Sequence, residues 1–187
     1  MSFLTNIIYD TSENQNFRTV LFTGKKSQLV VMSIPPGGEV GMETHDAVEQ
    51  TLFILSGKGV AMLDGERKDV RAGDVLVVTP GTEHNVLNTE SIPLKIYTIY
   101  APPNHLDGRV HATKSDADRD EEDEAVGYAA AHFLSNGKAA IPTMLQPPGF
   151  LPDVEPRPEP ANPLENPEAP PLSIHDAVPI ALGTTMK

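Results

Sequence analysis

The sequence predicts an all-β sandwich or barrel, and two observations carry that expectation. Short runs rich in β-branched and aromatic residues recur at roughly 8–12-residue spacing through the first 114 residues, and turn signals separate them. In chain order the runs are Thr19–Thr23, Gln28–Ile34, Thr51–Leu55, Gly59–Leu63, Asp74–Val78, His84–Leu87 and Leu94–Tyr100. Each is bounded by residues that favour turns: Gly24-Lys25, Pro35-Pro-Gly-Gly38, Ser56-Gly57, Asp64-Gly65, Ala72-Gly73 and Pro80-Gly81.

Charge and proline divide the rest of the chain. Residues 1–114 carry 10 basic and 13 acidic side chains, whereas 115–187 carry 4 and 13. Twelve of the 18 prolines lie from Pro142 onward, and proline fixes φ while removing a backbone donor. We therefore expect three segments: a β-barrel with N-terminal strands over 1–114, an acidic segment and short helix over 115–140, and a Pro-rich extension over 141–187. Seven acids fall between Ser115 and Glu124, ahead of an alanine-rich run. That order suits the positive end of a helix dipole, so a helix is expected at about 121–135 with a solvated acidic start. The extension reads as a solvated tail, with a strap packed on the domain or on a partner subunit as the alternative.

Composition excludes several classes of function. With 14 Lys+Arg against 26 Asp+Glu the 187-residue chain has a net charge of −12, the opposite of what a nucleic-acid binder needs. There is no cysteine, so any metal must be held by His, carboxylate or amide groups. No apolar run approaches the ~20 residues that span a bilayer, and residues 1–10 lack the features of a signal peptide; a soluble, cytoplasmic protein is expected.

Five polar residues stand in or beside the apolar strands: Glu43, His45, Glu49, Gln50 and His84. Glu43 and His45 share one face of an extended chain because successive side chains alternate. On the strand that follows, Gln50, Leu52 and Ile54 share one face, and Glu49 belongs to the other. His84 follows the tight turn Thr79–Glu83.

Together these residues resemble the cupin family. The first cupin motif reads Gly, five residues, His-x-His, three or four residues, Glu, six residues, Gly; here it reads Gly37, five residues, Glu43-Thr-His45, four residues, Gln50, six residues, Gly57. The second motif is matched from Gly73 through Pro80, Gly81 and His84 to Asn88, with Thr79 in place of its first Pro. The resemblance covers about 18–101 and implies a double-stranded β-helix, or jelly-roll barrel, with a pocket inside. Carried across by position, the four metal ligands are Glu43, His45, Gln50 and His84, with Glu43 replacing the first His and Gln50 replacing the Glu. Both replacements keep a donor oxygen. Glu49, three residues after His45, is the alternative carboxylate.

Two imidazoles, a carboxylate and an amide oxygen suit a divalent transition metal: Fe, Mn, Ni or Zn. The resemblance then implies a metal-dependent enzyme acting on a small polar organic molecule, and the two-His-one-carboxylate inventory slightly favours dioxygenase-like chemistry. The alternatives are a sugar or sugar-phosphate isomerase, and a non-catalytic binding or storage module. Phosphosugars would want several basic groups at the pocket; Arg67, Lys68 and Arg71 lie on the hairpin between the motifs. His105 and His111 follow the last strand and read as loop surface residues, with a proton-donating role over the pocket as the alternative. Tyr97 and Tyr100 fall on opposite strand faces, so only one faces the interior. No residue is assigned as catalytic. Cupins pair through sheet edges, so a homodimer is expected, with a small-molecule ligand and neither nucleic acid nor membrane as partner.

Overall fold

The computed structural model describes residues 2–126. Two antiparallel sheets face each other and enclose the apolar core. The chain runs α1 (Ile7–Glu13), β1 (Arg18–Thr23), β2 (Gln28–Ile34), β3 (Glu43–Thr44), β4 (Glu49–Ser56) and β5 (Lys58–Leu63), followed by β6 (Glu66–Arg71), β7 (Val75–Val78), β8 (Glu83–Asn88), β9 (Leu94–Ala101), β10 (Val110–His111) and α2 (Lys114–Ala117). One sheet has the order β10-β1-β2-β9-β4-β7 and the other β3-β8-β5-β6. This is the jelly-roll arrangement expected from the sequence. All seven expected runs are strands, with ends shifted by at most two residues.

Alternation along β4 decides what faces inward. Gln50, Leu52 and Ile54 are buried, while Glu49 is exposed on the opposite face. Glu49 therefore stands outside the barrel, and Gln50 is the residue that enters it. The same period on β9 buries Tyr100 and leaves Tyr97 to stack on Phe53 at the outer face, with ring centroids 4.7 Å apart. Val30, Met32 and Ile34 of β2 and Leu94 and Ile96 of β9 complete the core at 0% exposure. Burial of this kind stabilises by roughly 1.5–3 kcal/mol per large side chain.

At two positions only glycine fits, one through close approach and one through a turn. Gly59 lies where β5 meets β8, and a Cβ there would stand 2.2 Å from the Leu87 carbonyl oxygen. Gly81 has φ +83° in the turn before β8, a conformation that side chains other than glycine rarely adopt. Its amide donates to the His45 carbonyl at 2.9 Å, tying the end of β3 to the turn that leads into His84.

Several elements depart from the expectations. Residues 7–13 are helical, capped by the Asn6 side chain accepting from the Tyr9 amide, so β1 is preceded by a helix and not by a further strand. The polar run from Glu66 to Arg71 forms an edge strand whose side chains are exposed except Val70. The acidic segment is not simply solvated. Thr113 and Asp116 form a capping box on α2, and a helical stretch occupies 121–126, the last described residues. The rest of the helix expected to 135 and the whole Pro-rich extension lie outside the described residues. Among the described residues no helix is long and apolar enough to cross a membrane.

Acids of this segment pack against the barrel. Asp120 accepts from His111 Nε2 at 2.8 Å and from Arg109 Nη2 at 2.8 Å. Burial opposes its charge, but hydrogen bonds from His111 and Arg109 outweigh that and hold its carboxyl at about 2. Because this lies below the value near 3.9 of an unfolded Asp, the group stabilises above about pH 4, and that contribution fades as pH falls towards 2. Urea midpoints between pH 4 and pH 2 are expected to fall less steeply in Asp120→Asn than in the unaltered chain.

Candidate metal centre

Register places three of the candidate ligands side by side. β3 pairs with β8 so that Glu43 is the direct cross-strand partner of His84, and His45 follows immediately after β3. β4, in the other sheet, presents Gln50 from the opposite wall. His84 and Gln50 are each 1% exposed, at the floor. Glu43 and His45 are part-buried above them. The nitrogens of the two histidines and a Glu43 oxygen lie within 4.8 Å of one another.

Hydrogen bonding fixes which atoms are free. His84 Nδ1 stands 3.0 Å from the Thr82 carbonyl, which can only accept, so Nδ1 carries the proton. Burial holds the His84 pKa below its ordinary value, against the Thr82 bond, and the ring is neutral with its lone pair at Nε2. That lone pair faces Gln50 Oε1 at 3.0 Å. Gln50 Nε2 donates to Thr98 Oγ1 at 3.3 Å, which directs the amide oxygen at His84. His45 Nε2 lies 3.3 Å from a Glu43 oxygen, yet it is buried and makes no well-aligned hydrogen bond. Burial would raise the Glu43 pKa, but the neighbouring His45 and, beyond it, Arg18 outweigh it and keep the carboxylate ionised.

Two contacts here, 3.3 Å between His45 Nε2 and a Glu43 oxygen and 3.0 Å between His84 Nε2 and Gln50 Oε1, are gaps that suit a shared ion. Two ligands at right angles on bonds of about 2.1 Å are about 3.0 Å apart, and at the tetrahedral angle about 3.4 Å. A pair of lone pairs at such a distance is repulsive unless a cation or proton lies between them. The donor set therefore fits a divalent metal, and the Thr82 contact is the kind of outer bond that orients a ligating histidine.

A cavity of about 550 Å³ opens above the centre, and Glu43, His45, Arg18 and His105 are among its lining residues. Six carboxylate side chains line it against two permanent cations, Arg18 and Lys114. Arg67, Lys68 and Arg71 do not reach it; they lie on the exposed edge strand β6.

The family model described as "Cupin domain" matches residues 30–100, a span that contains Glu43, His45, Gln50 and His84. A solved structure of BH2720 from Bacillus halodurans superposes with a TM-score of 0.62 at 37% identity, covering 63% of this chain and 94% of that one. This chain belongs to the cupin superfamily. Among curated proteins, the uncharacterised YrkC of Bacillus subtilis is 46% identical over 122 residues, 62% of this chain and 65% of its own length. The chain thus spans slightly under two thirds of that relative. An oxalate-binding protein of Thermotoga maritima is 32% identical over 68 residues, 36% of this chain and 56% of the relative.

The cupin fold also corrects the reading of two histidines. His105 and His111 are 6% and 3% exposed and are not loop surface residues. Each is bonded to an acid of the segment read as solvated: His105 to Asp123 and His111 to Asp120, both at 2.8 Å. Arg18 and Asp123 were not singled out in the sequence at all. The only signal was an arginine opening an apolar strand and an unusually dense acidic run, and nothing in their spacing joins residues 105 positions apart.

Proposed function

We propose that this cupin is a metal-dependent enzyme acting on a small polar organic molecule, with Glu43, His45, Gln50 and His84 holding a divalent transition metal. The observation that carries this reading is the convergence of two imidazole nitrogens and a carboxylate oxygen within 4.8 Å of one another, with the Gln50 amide oxygen 3.0 Å from His84 Nε2. A metal bound there would supply Lewis-acid polarisation of a substrate oxygen and, for Fe, oxygen activation. The chain's own residues do the rest. Thr82 fixes the His84 ring, Thr98 fixes the Gln50 amide, and Glu43 supplies the negative charge.

The cavity wall argues about the substrate. With six carboxylates against two cations besides the metal, it disfavours a phosphorylated sugar relative to a molecule of lower charge that bears a metal-binding oxygen. We therefore favour dioxygenase-like over phosphosugar isomerase chemistry. A non-catalytic binding module is the second reading, supported by the name of the Thermotoga relative. The two readings differ in what stands beside the metal: a saturated apolar site only binds, whereas ionisable groups at the cavity favour turnover. His105 lines this cavity.

Elemental mass spectrometry of chain purified without a metal-chelating tag tests the premise. Near-stoichiometric Fe, Mn, Ni or Zn is expected. Protein that contains no metal, and takes up none when challenged, would leave only the binding-module reading.

We propose that the chain pairs with a second copy through the outer face of the six-stranded sheet. Val75 and Val77, 52% and 51% exposed, lie on its edge strand β7 and pair with Phe53 and Thr51. An exposed apolar edge has reason to be covered. Light scattering after gel filtration is expected to give twice the 20.2 kDa chain mass, and a Val75→Lys, Val77→Lys variant the chain mass itself.

A further inference from the structure

The charges that line the cavity do not cancel, and the residue pairings show which ones are left over. Both permanent cations are already matched. Arg18 Nη1 lies 3.2 Å from Asp123 Oδ2, with side chains 10% and 4% exposed. Lys114 Nζ lies 2.7 Å from Asp118 Oδ1, one helical turn further on. Glu43 belongs to the donor set with His45 and His84. Three lining carboxylates remain: Glu39, Asp46 and Glu124. Glu39 is half-buried and accepts from the Asn85 amide at 2.8 Å, a partner that carries no charge. Asp46 and Glu124 are exposed. Among the described residues none of the three is held in an ion pair.

Their placement puts this surplus around the metal centre from two parts of the chain. Glu39 precedes and Asp46 follows β3, the strand that carries Glu43, and Glu124 comes from the 121–126 stretch that carries Asp123. The expectation of a ligand here does not depend on these acids. It comes from the donor atoms of Glu43, His45 and His84 within 4.8 Å of one another, and from His45 Nε2, which lines the cavity buried and without an aligned hydrogen bond.

Electrostatics then describes the rest of the ligand. A divalent ion on Glu43 leaves one positive charge, and an anionic ligand oxygen on that ion cancels it. What the remainder of the ligand meets is the unmatched negative charge of Glu39, Asp46 and Glu124. A cation roughly 8 Å from each, the scale of a cavity of about 550 Å³, gains a factor of about five to ten in affinity from three unit charges in water-like surroundings. A second anionic group loses by a similar factor. The screening length is about 30 Å at 0.01 M salt and about 3 Å at 1 M, so the preference belongs to dilute buffer and disappears in concentrated salt.

We propose that the cavity takes a ligand joining a metal-binding oxygen to an alkylammonium group, with Glu39, Asp46 and Glu124 selecting the cation. The proposal deepens the metal-dependent reading above and rests on it. Asp118 and Asp123 contribute little to the selection, because Lys114 and Arg18 already balance them.

The test uses full-length chain loaded with Zn(II) and two hydroxamic acids of the same shape. Trimethylammonioacetohydroxamic acid carries a quaternary nitrogen where 3,3-dimethylbutanohydroxamic acid has carbon, so the pair differs by one charge that cannot itself bind the metal. Calorimetric titration at 0.01 M salt gives the ratio of their affinities, and comparing that ratio between variants removes the intrinsic difference between the probes. In the Glu39→Gln, Asp46→Asn, Glu124→Gln variant the preference for the cationic probe is expected to fall about fivefold, and 1 M salt should lower it similarly in the unaltered chain. Lys114→Gln, which leaves Asp118 unmatched, is expected to raise it, a gain that a damaged fold would not produce. A fall of less than twofold in the triple variant, or a ratio indifferent to salt, overturns the proposal. Zinc content, measured before titration, reports failure of the metal centre separately. In that case, NMR titration of the zinc-free chain with choline decides the cation preference. Saturable shifts of the amides of residues 39–46 that the triple variant abolishes support it, and shifts that are absent or retained in the variant overturn it.

Discussion

Alanine in place of His84 is expected to weaken Zn(II) or Mn(II) binding by more than about 100-fold, since loss of an outer-sphere partner alone costs 10–100-fold and His84 is a proposed ligand. The ring is 1% exposed and its Nδ1 proton is committed to Thr82, so only Nε2 changes what the centre offers. Competition against a chromophoric chelator measures the effect. Gln50→Leu, which removes the amide oxygen at nearly constant volume, should weaken binding less. Gln50→Glu, which adds a charge at the same place, should strengthen it. Unchanged affinity in both His84→Ala and Gln50→Leu would place the metal elsewhere.

Asp123→Ala is expected to destabilise the chain by about 3–5 kcal/mol, the range for stripping one partner from a buried ion pair. Its side chain is 4% exposed and that of Arg18 10%, so the arginine cannot turn to water when the carboxylate is removed. His105 loses its acceptor in the same change. Urea unfolding near pH 7 reads the loss. Replacing both ions, as Arg18→Met with Asp123→Leu, should cost less than the single change, because no charge is then left buried and unpaired. A single-variant loss under about 1 kcal/mol would mean that the pair is effectively solvated.

What the sequence revealed and what it hid divide along one physical line. Runs such as Gln28–Ile34 were visible because their side chains are apolar and their ends carry turn residues; β6 was hidden because an exposed edge strand reads Glu-Arg-Lys-Asp-Val-Arg. The face of Gln50 followed from period-two alternation, a local rule, and the structure places Glu49 outside as that rule required. The four proposed ligands were legible through motif spacing. The Arg18, His105 and Asp123 cluster was not, since it depends on the 121–126 stretch meeting β1 and the segment after β9, and no local pattern records that. An acidic run ordinarily marks a solvated surface. Here Asp120 and Asp123 are exceptions because a histidine and an arginine meet each of them in the fold.

The most direct test of the metal centre is X-ray absorption at the metal edge of the loaded full-length chain. Two imidazole nitrogens with oxygen donors at about 2.0–2.2 Å are expected, with one imidazole lost in His84→Ala. A first shell containing no imidazole, or one unchanged by that substitution, would contradict the assignment of Glu43, His45, Gln50 and His84.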